Sequence, residues 1–375
     1  MRAAGDRALS ARKAEHLKLA ASGAGEIGGA GWADVHLIHT AIPQVELDDI
    51  DLRTVFLGRR LKLPLLISGM TGGHRTATRV NAALAAAAEI CGCAMGVGSQ
   101  RAALRSNDLA GTYTVARKSG PHVLLLANIG LPQLVPQKAG PGLTAADVRR
   151  VITMLQADAL AVHLNYLQEC VQPEGQTRTQ GALRALRAIV KAAGVPVIAK
   201  ETGSGITRPT ALRLRALGVA AIDIGGRGGT SFALVEGQRA HRQGDTTRAR
   251  LGEVFAEWGV PTPAAVADCA RIGLPLVATG GIRSGLDGAK ALALGASLVG
   301  VARPLLQAAL ISEAAVVDWL RQFELELRVA MFLCDARSVR DLRGRAVVTG
   351  VTAEWIRQLR RRRAIASSAR RQLDG

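Results

Sequence analysis

Two glycine-rich turns carry the first sign of chemistry in this chain: Gly225-Gly226-Arg227-Gly228-Gly229-Thr230 and Thr279-Gly280-Gly281-Ile282-Arg283. Each follows a short apolar run. Glycines there let backbone N–H groups approach a phosphate closely, and Arg227, Arg283 and Thr230 add charge and a hydroxyl. A tight turn alone would also ask for glycine. Two such turns, with Ala302-Arg303 after a further run, point to a phosphate site. A second group is His163-Leu164-Asn165-Tyr166-Leu167-Gln168-Glu169. Asn165 and Gln168 can orient a ligand through neutral hydrogen bonds, and Glu169 offers a hard oxygen of the kind Mg²⁺ takes when it shares a diphosphate. His163 either packs as a satisfied histidine or faces the same ligand. Lys200 either pairs with an acid such as Glu201 or neutralises an anionic ring or phosphate. Near the start, Arg12-Lys13-Ala14-Glu15-His16 places cations within one helical turn.

These residues stand where a particular architecture would put them. Eight runs rich in Val, Ile and Leu read as buried parallel strands: Leu63 to Ser68, Cys93 to Val97, His122 to Asn128, Ala159 to Leu164, Val195 to Lys200, Ala220 to Ile224, Leu274 to Thr279 and Ser297 to Val301. Helical periodicity lies between them, as in Arg79 to Ile90, Gly181 to Ala193, Thr210 to Leu217 and Gly285 to Leu294. The alternation predicts an α/β fold, a (β/α)₈ TIM barrel, whose active site forms at the C-terminal ends of the strands. A doubly wound sheet is the alternative. The organisation expected is an N-terminal arm over residues 1–60, a barrel over 61–350 and a basic tail over 351–375.

Composition limits the partners. The 375 residues carry 48 Lys plus Arg against 30 Asp plus Glu, a net charge of +18, which raises nucleic acid as a partner. Aromatic content of 3% leaves few stacking platforms for single strands, so no nucleic acid is expected. The tail from 351 holds Arg357, Arg360, Arg361, Arg362, Arg363, Arg370 and Arg371 against Glu354 and Asp374, or 7 − 2 = +5 of that charge. Five scattered cysteines fit neither a disulfide framework nor a zinc site, and the start lacks an apolar signal region. No membrane span is read, and a cytoplasmic setting is expected.

The ordered segments resemble the FMN-dependent type 2 isopentenyl-diphosphate isomerases. The resemblance runs from Arg12-Lys13-x-x-His16 and His39-Thr40-Ala41-Ile42-Pro43 through Met70-Thr71-Gly72-Gly73, Ser99-Gln100-Arg101, Ala127-Asn128-Ile129-Gly130 and His163-Leu164-Asn165-x-x-Gln168-Glu169. It continues through Pro173-Glu174-Gly175, Ile222-Asp223-Ile224-Gly225, Trp258-Gly259-Val260-Pro261-Thr262 and Gly280-Gly281-Ile282-Arg283 to about Trp355. It implies interconversion of isopentenyl and dimethylallyl diphosphate by reduced FMN, with Mg²⁺ on the diphosphate and NAD(P)H needed to reduce the flavin. It implies that Arg12, Lys13, His16, Ser99, Gln100, Arg101 and Gln168 bind substrate, and that Glu169 holds the metal. Met70, Thr71, Gly72, Ser99, Asn128, Lys200, Gly225, Thr230, Gly281, Ile282, Arg283, Ala302 and Arg303 fall on flavin-binding positions. Gln168, His163 and Asn165 would be the catalytic group, and a homo-oligomer, tetramer or octamer, is implied.

Two stretches depart from the family pattern. Gln176-Thr177-Arg178 follows Pro173-Glu174-Gly175 where an acid and Arg are common, and Cys334-Asp335 stands where Thr-Gly is common. The rival is an FMN-dependent α-hydroxy-acid oxidase or dehydrogenase. Such enzymes place a histidine base just before a Gly-Gly-Arg turn, and here Ile224 stands there.

Overall fold

Strands that are apolar on both faces need a layer of side chains on each side, and closing the sheet provides one of them internally. In a computed structural model of the chain the eight strands are Leu65–Ile67, Ala94–Gly96, Leu125–Gly130, Ala159–Leu164, Val197–Glu201, Ala221–Asp223, Leu276–Thr279 and Leu298–Val301. They pair in parallel in that order, and the eighth returns to the first, forming the closed barrel expected from the sequence. The structure describes the backbone of residues 2–138 and 140–373, and side chains over 12–138, 140–362 and 365. Arg363, Arg370, Arg371 and Asp374 of the tail lie outside those described side chains. The third strand starts at Leu125 rather than His122, because Pro121 and His122 form a turn. There the His122 backbone N–H donates to Glu89 at 2.9 Å, and its ring meets the same carboxylate at 2.7 Å.

Side chains alternate along a strand, so each strand feeds two separate layers. Leu65, Ile67, Met95, Leu125, Ala127, Leu160, Val162, Ile222, Ala278 and Val299 face the helices within one large core. Burial of each Leu, Ile, Val or Met side chain among them contributes roughly 1.5–3 kcal/mol. Leu66, Leu126, Ile198, Ala221, Val277 and Leu298 face inward, and the hairpin of Thr54–Phe56 and Arg59–Leu61 plugs this end with Phe56 and Leu61. Two residues further along the same strands stand Ser68, Asn128, Lys200, Asp223, Thr279 and Gly300. One period of two therefore sets a polar layer directly above an apolar plug.

The first 60 residues pack against the barrel without adding a strand to its sheet. Helix Arg2–Ser22 lies across the mouth, Glu26–Ile27 pairs antiparallel with Gly229–Thr230, and Val35–Leu37 pairs with Ala346–Val348. At the other end, the expected division at 351 falls inside helix Gly350–Leu373. Its Thr352 and Ile356 are buried, and the Thr352 N–H donates to Asp34 at 2.9 Å. Beyond Leu359 the described residues of this helix are exposed. Deleting residues 360–375 is expected to leave the melting temperature and turnover nearly unchanged. Deleting 351–375 should lower the melting temperature by about 5 °C or more in a calorimetric scan.

Helices Phe232–Arg242 and Thr246–Val254 form an antiparallel pair that the sequence periodicity does not announce. Ser231 and Asp245 cap them, accepting from the Leu234 and Arg248 N–H groups at 3.3 and 2.9 Å. The two backbones touch: a Cβ on Gly252 would stand 2.5 Å from the Gly237 Cα and 2.6 Å from the Ala233 carbonyl oxygen. Among the described residues, no helix is long and apolar enough to cross a membrane.

Candidate active site

The polar layer opens into a cavity of about 250 Å³ at the C-terminal ends of the strands, roofed by the N-terminal helix. Every site residue expected from the sequence lines it, except Gln100. Gln100 is a correction. Its side chain is fully buried beside the barrel, donating to the Val151 carbonyl at 3.0 Å and accepting from the Asn128 N–H at 3.0 Å. It braces the third strand and does not line the cavity. Arg227 also turns away from the cavity, toward Glu257 at 3.7 Å.

One end of the cavity is built for a phosphate. Gly281 has φ +71°, and a Cβ there would lie 2.3 Å from the Ala30 Cβ, so the turn admits only glycine. Trp32 Nε1 donates to the Gly280 carbonyl at 2.9 Å, and Asp287 accepts from the Arg283 N–H at 3.0 Å, so the turn is held from both sides. Arg283 and Arg303 meet on one carboxylate, Glu26, at 3.1 and 2.5 Å, which holds that carboxyl below its usual range. Arg303 keeps its Nε and Nη1 buried without a partner. The hydroxyls of Ser68 and Thr279 on the cavity floor are likewise buried and unpaired. Lys200 stands in register with Asp223 on the next strand, 3.3 Å from its Oδ2, and donates to the Glu201 carbonyl at 3.0 Å. The acid it pairs with is thus Asp223. Unpaired hydroxyls, two arginines and a lysine at this floor fit a flavin with its phosphate at the Gly281 turn.

The other end gathers cations from three elements. Arg12 and Lys13 come from the N-terminal helix, and Arg101 comes from the short helix Arg101–Arg105. Burial, then Arg12 and Arg101, lowers the Lys13 ammonium to about 7. Arg101 falls to about 10, through burial and then Arg105 and Arg12, and stays charged at neutral pH. It donates to Gln176 Oε1 at 3.1 Å. The departure from the family pattern at 176 therefore places a neutral amide, not a carboxylate, against this guanidinium.

Between the two ends runs a row of amides. Asn165 Nδ2 donates to Gln168 Oε1 and to Glu169 Oε1, each at 3.1 Å. Glu169 also accepts from the Gln176 N–H at 2.7 Å and from Gln133 Nε2 at 3.3 Å. The Asn165 Oδ1 is buried with no partner. A charged oxygen beside an orphaned neutral one suits a hard cation. Among the described residues no group of three or more acids, histidines or cysteines could by itself hold a metal ion, so such a cation would draw most of its ligands from substrate oxygens and water.

His163 is held differently from a proton donor. Asn128 Nδ2 donates to the Val97 carbonyl at 2.9 Å, so its Oδ1 accepts from His163 Nδ1 at 2.8 Å. Burial, then Lys200, Lys13 and Arg101, lowers the imidazole to about 3. At neutral pH His163 is therefore an uncharged ring whose Nε2 carries a lone pair.

Glu236 belongs to none of the glycine, amide or cation motifs, yet it anchors the mouth. Gln168 Nε2 donates to its Oε1 at 2.8 Å, His16 Nε2 lies 2.9 Å from the same oxygen, and Arg239 donates to its Oε2 at 2.7 Å. Gln172, with its amide nitrogen toward Glu236 at 3.1 Å, turns its oxygen to Arg12 at 3.0 Å. Burial works against the charge, but His16, Gln168 and Arg239 outweigh it and bring the carboxyl to about 2. Arg239 reaches on to Glu15 and Glu174 at 3.1 and 3.3 Å, and Arg12 to Glu174 at 3.1 Å. The signal available in the sequence is the Glu236/Arg239 spacing of three on one helix face.

A family model described as FMN-dependent dehydrogenase matches residues 137–349. The isopentenyl-diphosphate delta-isomerase of Methanoregula boonei is 47% identical over 353 residues, 93% of this chain and 97% of that protein. The protein of the same name from Methanosarcina barkeri is 46% identical over 93% of this chain and 94% of its own. That from Archaeoglobus fulgidus is 45% identical over 92% and 98%. Among solved structures, a mandelate oxidase variant with a monooxide FMN adduct aligns with a TM-score of 0.58 at 20% identity, over 89% of this chain and 99% of that one. Mandelate oxidase with a difluorinated hydroxy acid aligns at 0.57 and 18%, over 93% and 98%. At these identities the structures share the barrel alone.

Proposed function

The chain belongs to the FMN-dependent isopentenyl-diphosphate delta-isomerase family, and on that premise we propose that it interconverts isopentenyl and dimethylallyl diphosphate using reduced FMN, Mg²⁺ on the diphosphate and NAD(P)H as the source of electrons. The observation that carries this reading is a single cavity with two separate cationic ends, Arg283 with Arg303 at one and Arg12, Lys13 and Arg101 at the other. Each end presents cations to a phosphate group. When bound, the reduced flavin supplies an electron-rich acid and base over the alkene.

The residues of the chain do the rest. Arg12, Lys13 and Arg101 neutralise the diphosphate and fix the position of the short hydrocarbon, turning binding energy into alignment of the reacting carbons. Glu169, with Asn165 Oδ1 beside it, would hold Mg²⁺ against the diphosphate oxygens. Leu17, Ala20, Phe232 and Leu306 wall the cavity with apolar surface and keep water from a carbon that gains positive character. Gln168, turned by Glu236, presents a neutral amide where a proton is exchanged, and His163 Nε2 offers a hydrogen-bond acceptor that stays unprotonated. Lys200 faces the flavin floor with Asp223 behind it, so positive charge there is tempered but retained.

The hydroxy-acid oxidase reading has no such support. Ile224 is buried where that chemistry needs a base, and His163 is too weak a base to take a proton from a hydroxyl. The exposed Leu325, Val329 and Leu333, spaced by four along helix Glu313–Leu333, support the homo-oligomer. The test is direct: flavin-loaded protein with Mg²⁺ and NAD(P)H, free of oxygen, should convert isopentenyl to dimethylallyl diphosphate, followed by proton NMR. Bound, reducible flavin with no conversion overturns the assignment.

A further inference from the structure

Beneath the cationic end of the cavity lies Tyr113, a fully buried residue on helix Gly111–Ser119 that no step described above uses. Its hydroxyl donates to the Ser99 carbonyl at 2.8 Å. Its lone pairs are then left for the Lys13 ammonium, whose Nζ lies at 2.7 Å. Nζ donates a second bond to the same Ser99 carbonyl at 2.5 Å and stands 5.3 Å from the centre of the Tyr113 ring. Two of the three ammonium protons are thereby assigned, and the third is left for the cavity that Lys13 lines.

The ring is fixed as firmly as the hydroxyl. A Cβ on Gly72 would fall 2.0 Å from the Tyr113 Cε1, and one on Gly73 would fall 2.9 Å from its hydroxyl oxygen and 3.1 Å from the Lys13 Cδ. The neighbouring Thr112 Oγ1 accepts from the Gly73 N–H at 2.8 Å. The paired glycines of Met70-Thr71-Gly72-Gly73 are thus the space that lets this ring and the lysine stem pass. Burial also pushes the phenol far above its ordinary range, so it stays a neutral hydroxyl whenever the enzyme works.

We propose that Tyr113 is a positioning residue for the reaction, holding the Lys13 ammonium charged and aimed so that its remaining N–H meets the diphosphate. The proposal rests on the reading of Lys13 as a diphosphate contact. A buried ammonium needs oxygen acceptors to keep its proton, and this one has two. The other groups around it do not help: Arg12 on its own helix and Arg101 repel the charge, while His74 and His163, lowered by burial to about 4 and about 3, stay neutral at working pH. Removing the phenolic oxygen leaves a single acceptor and frees the amine to rotate away from the ligand.

Tyr113→Phe keeps the ring and removes the oxygen. It should raise KM for isopentenyl diphosphate about tenfold with kcat within about twofold, and leave the flavin dissociation constant unchanged. The alkaline limb of kcat/KM should move to lower pH by on the order of one unit. Inorganic pyrophosphate binding by calorimetry should weaken more at pH 8 than at pH 6.5, a readout that needs no turnover. In a Lys13→Met background, adding Tyr113→Phe should change KM by less than about twofold. An equal loss in both backgrounds, an unmoved pH limb, or loss of flavin in place of substrate affinity overturns the proposal. An unchanged KM in Lys13→Met alone would instead remove the diphosphate role of Lys13, and the proposal with it.

Discussion

Glu236→Gln lowers turnover by on the order of a hundredfold while leaving flavin affinity nearly intact, because Gln168 loses the charge that orients it. In the native enzyme Gln168 Nε2 is committed to Glu236 Oε1 at 2.8 Å, so its oxygen is the atom turned toward Asn165. A neutral amide at 236 can be read by Gln168 in either orientation, and half of the arrangements invert the row. The same change leaves Arg239, only 5% exposed, without its closest partner. Breaking a buried pair of this kind costs about 3–5 kcal/mol, moderated here by Glu15 and Glu174. The acid dependence carries a definite sign. The carboxyl is depressed to about 2, so its stabilising effect is full above its ordinary value of 4.5 and fades as the pH falls toward 2. Wild type and variant should therefore differ most in melting temperature above about pH 4.5 and converge at the acid end. A variant that melts like wild type at pH 7 and turns over normally would remove Glu236 from the mouth.

Glu169→Gln should raise the Mg²⁺ concentration for half-maximal rate at least tenfold, about 1.4 kcal/mol or more in metal binding. The carboxylate is buried and accepts from Gln176, Asn165 and Gln133, so the replacement keeps the shape while withdrawing the one anionic oxygen beside Asn165 Oδ1. An amide nitrogen would also face those donors, leaving an unmade bond that weakens the row. Flavin absorbance should persist, since the Arg283 turn lies at the opposite end of the cavity. A Mg²⁺ titration that superimposes on wild type assigns the metal elsewhere.

Much of this site was legible because strand periodicity carries it. Ile198 and Lys200, or Ala221 and Asp223, are two apart, so recognising the buried run also gives the residue at its open end. Glycine turns such as Gly280-Gly281 declare themselves, since no other residue fits beside Ala30. What stayed hidden depends on tertiary placement. Gln100 stands between two cavity-lining neighbours, Ser99 and Arg101, and only the turn into the short helix sends its side chain behind the third strand. Glu236 and Tyr113 lie on helices whose own patterns say that one face is buried, not what that face meets. Of the net charge of +18, the tail accounts for +5, and the sequence did not show that Arg12 and Arg101 meet at one end of the cavity.

The glycine crossing between Phe232–Arg242 and Thr246–Val254 bears on how this sequence can vary. The crossing sets where Glu236 and Arg239 stand, and it does so by contact between main chains, with no side chain able to readjust. Gly252 touches no ligand, yet a single methyl group there would shift the carboxylate that turns Gln168. In a saturation scan selected for activity, Gly252 should tolerate as little as the residues of the cavity wall, and a reader of that scan would find a functional position that lines no part of the cavity.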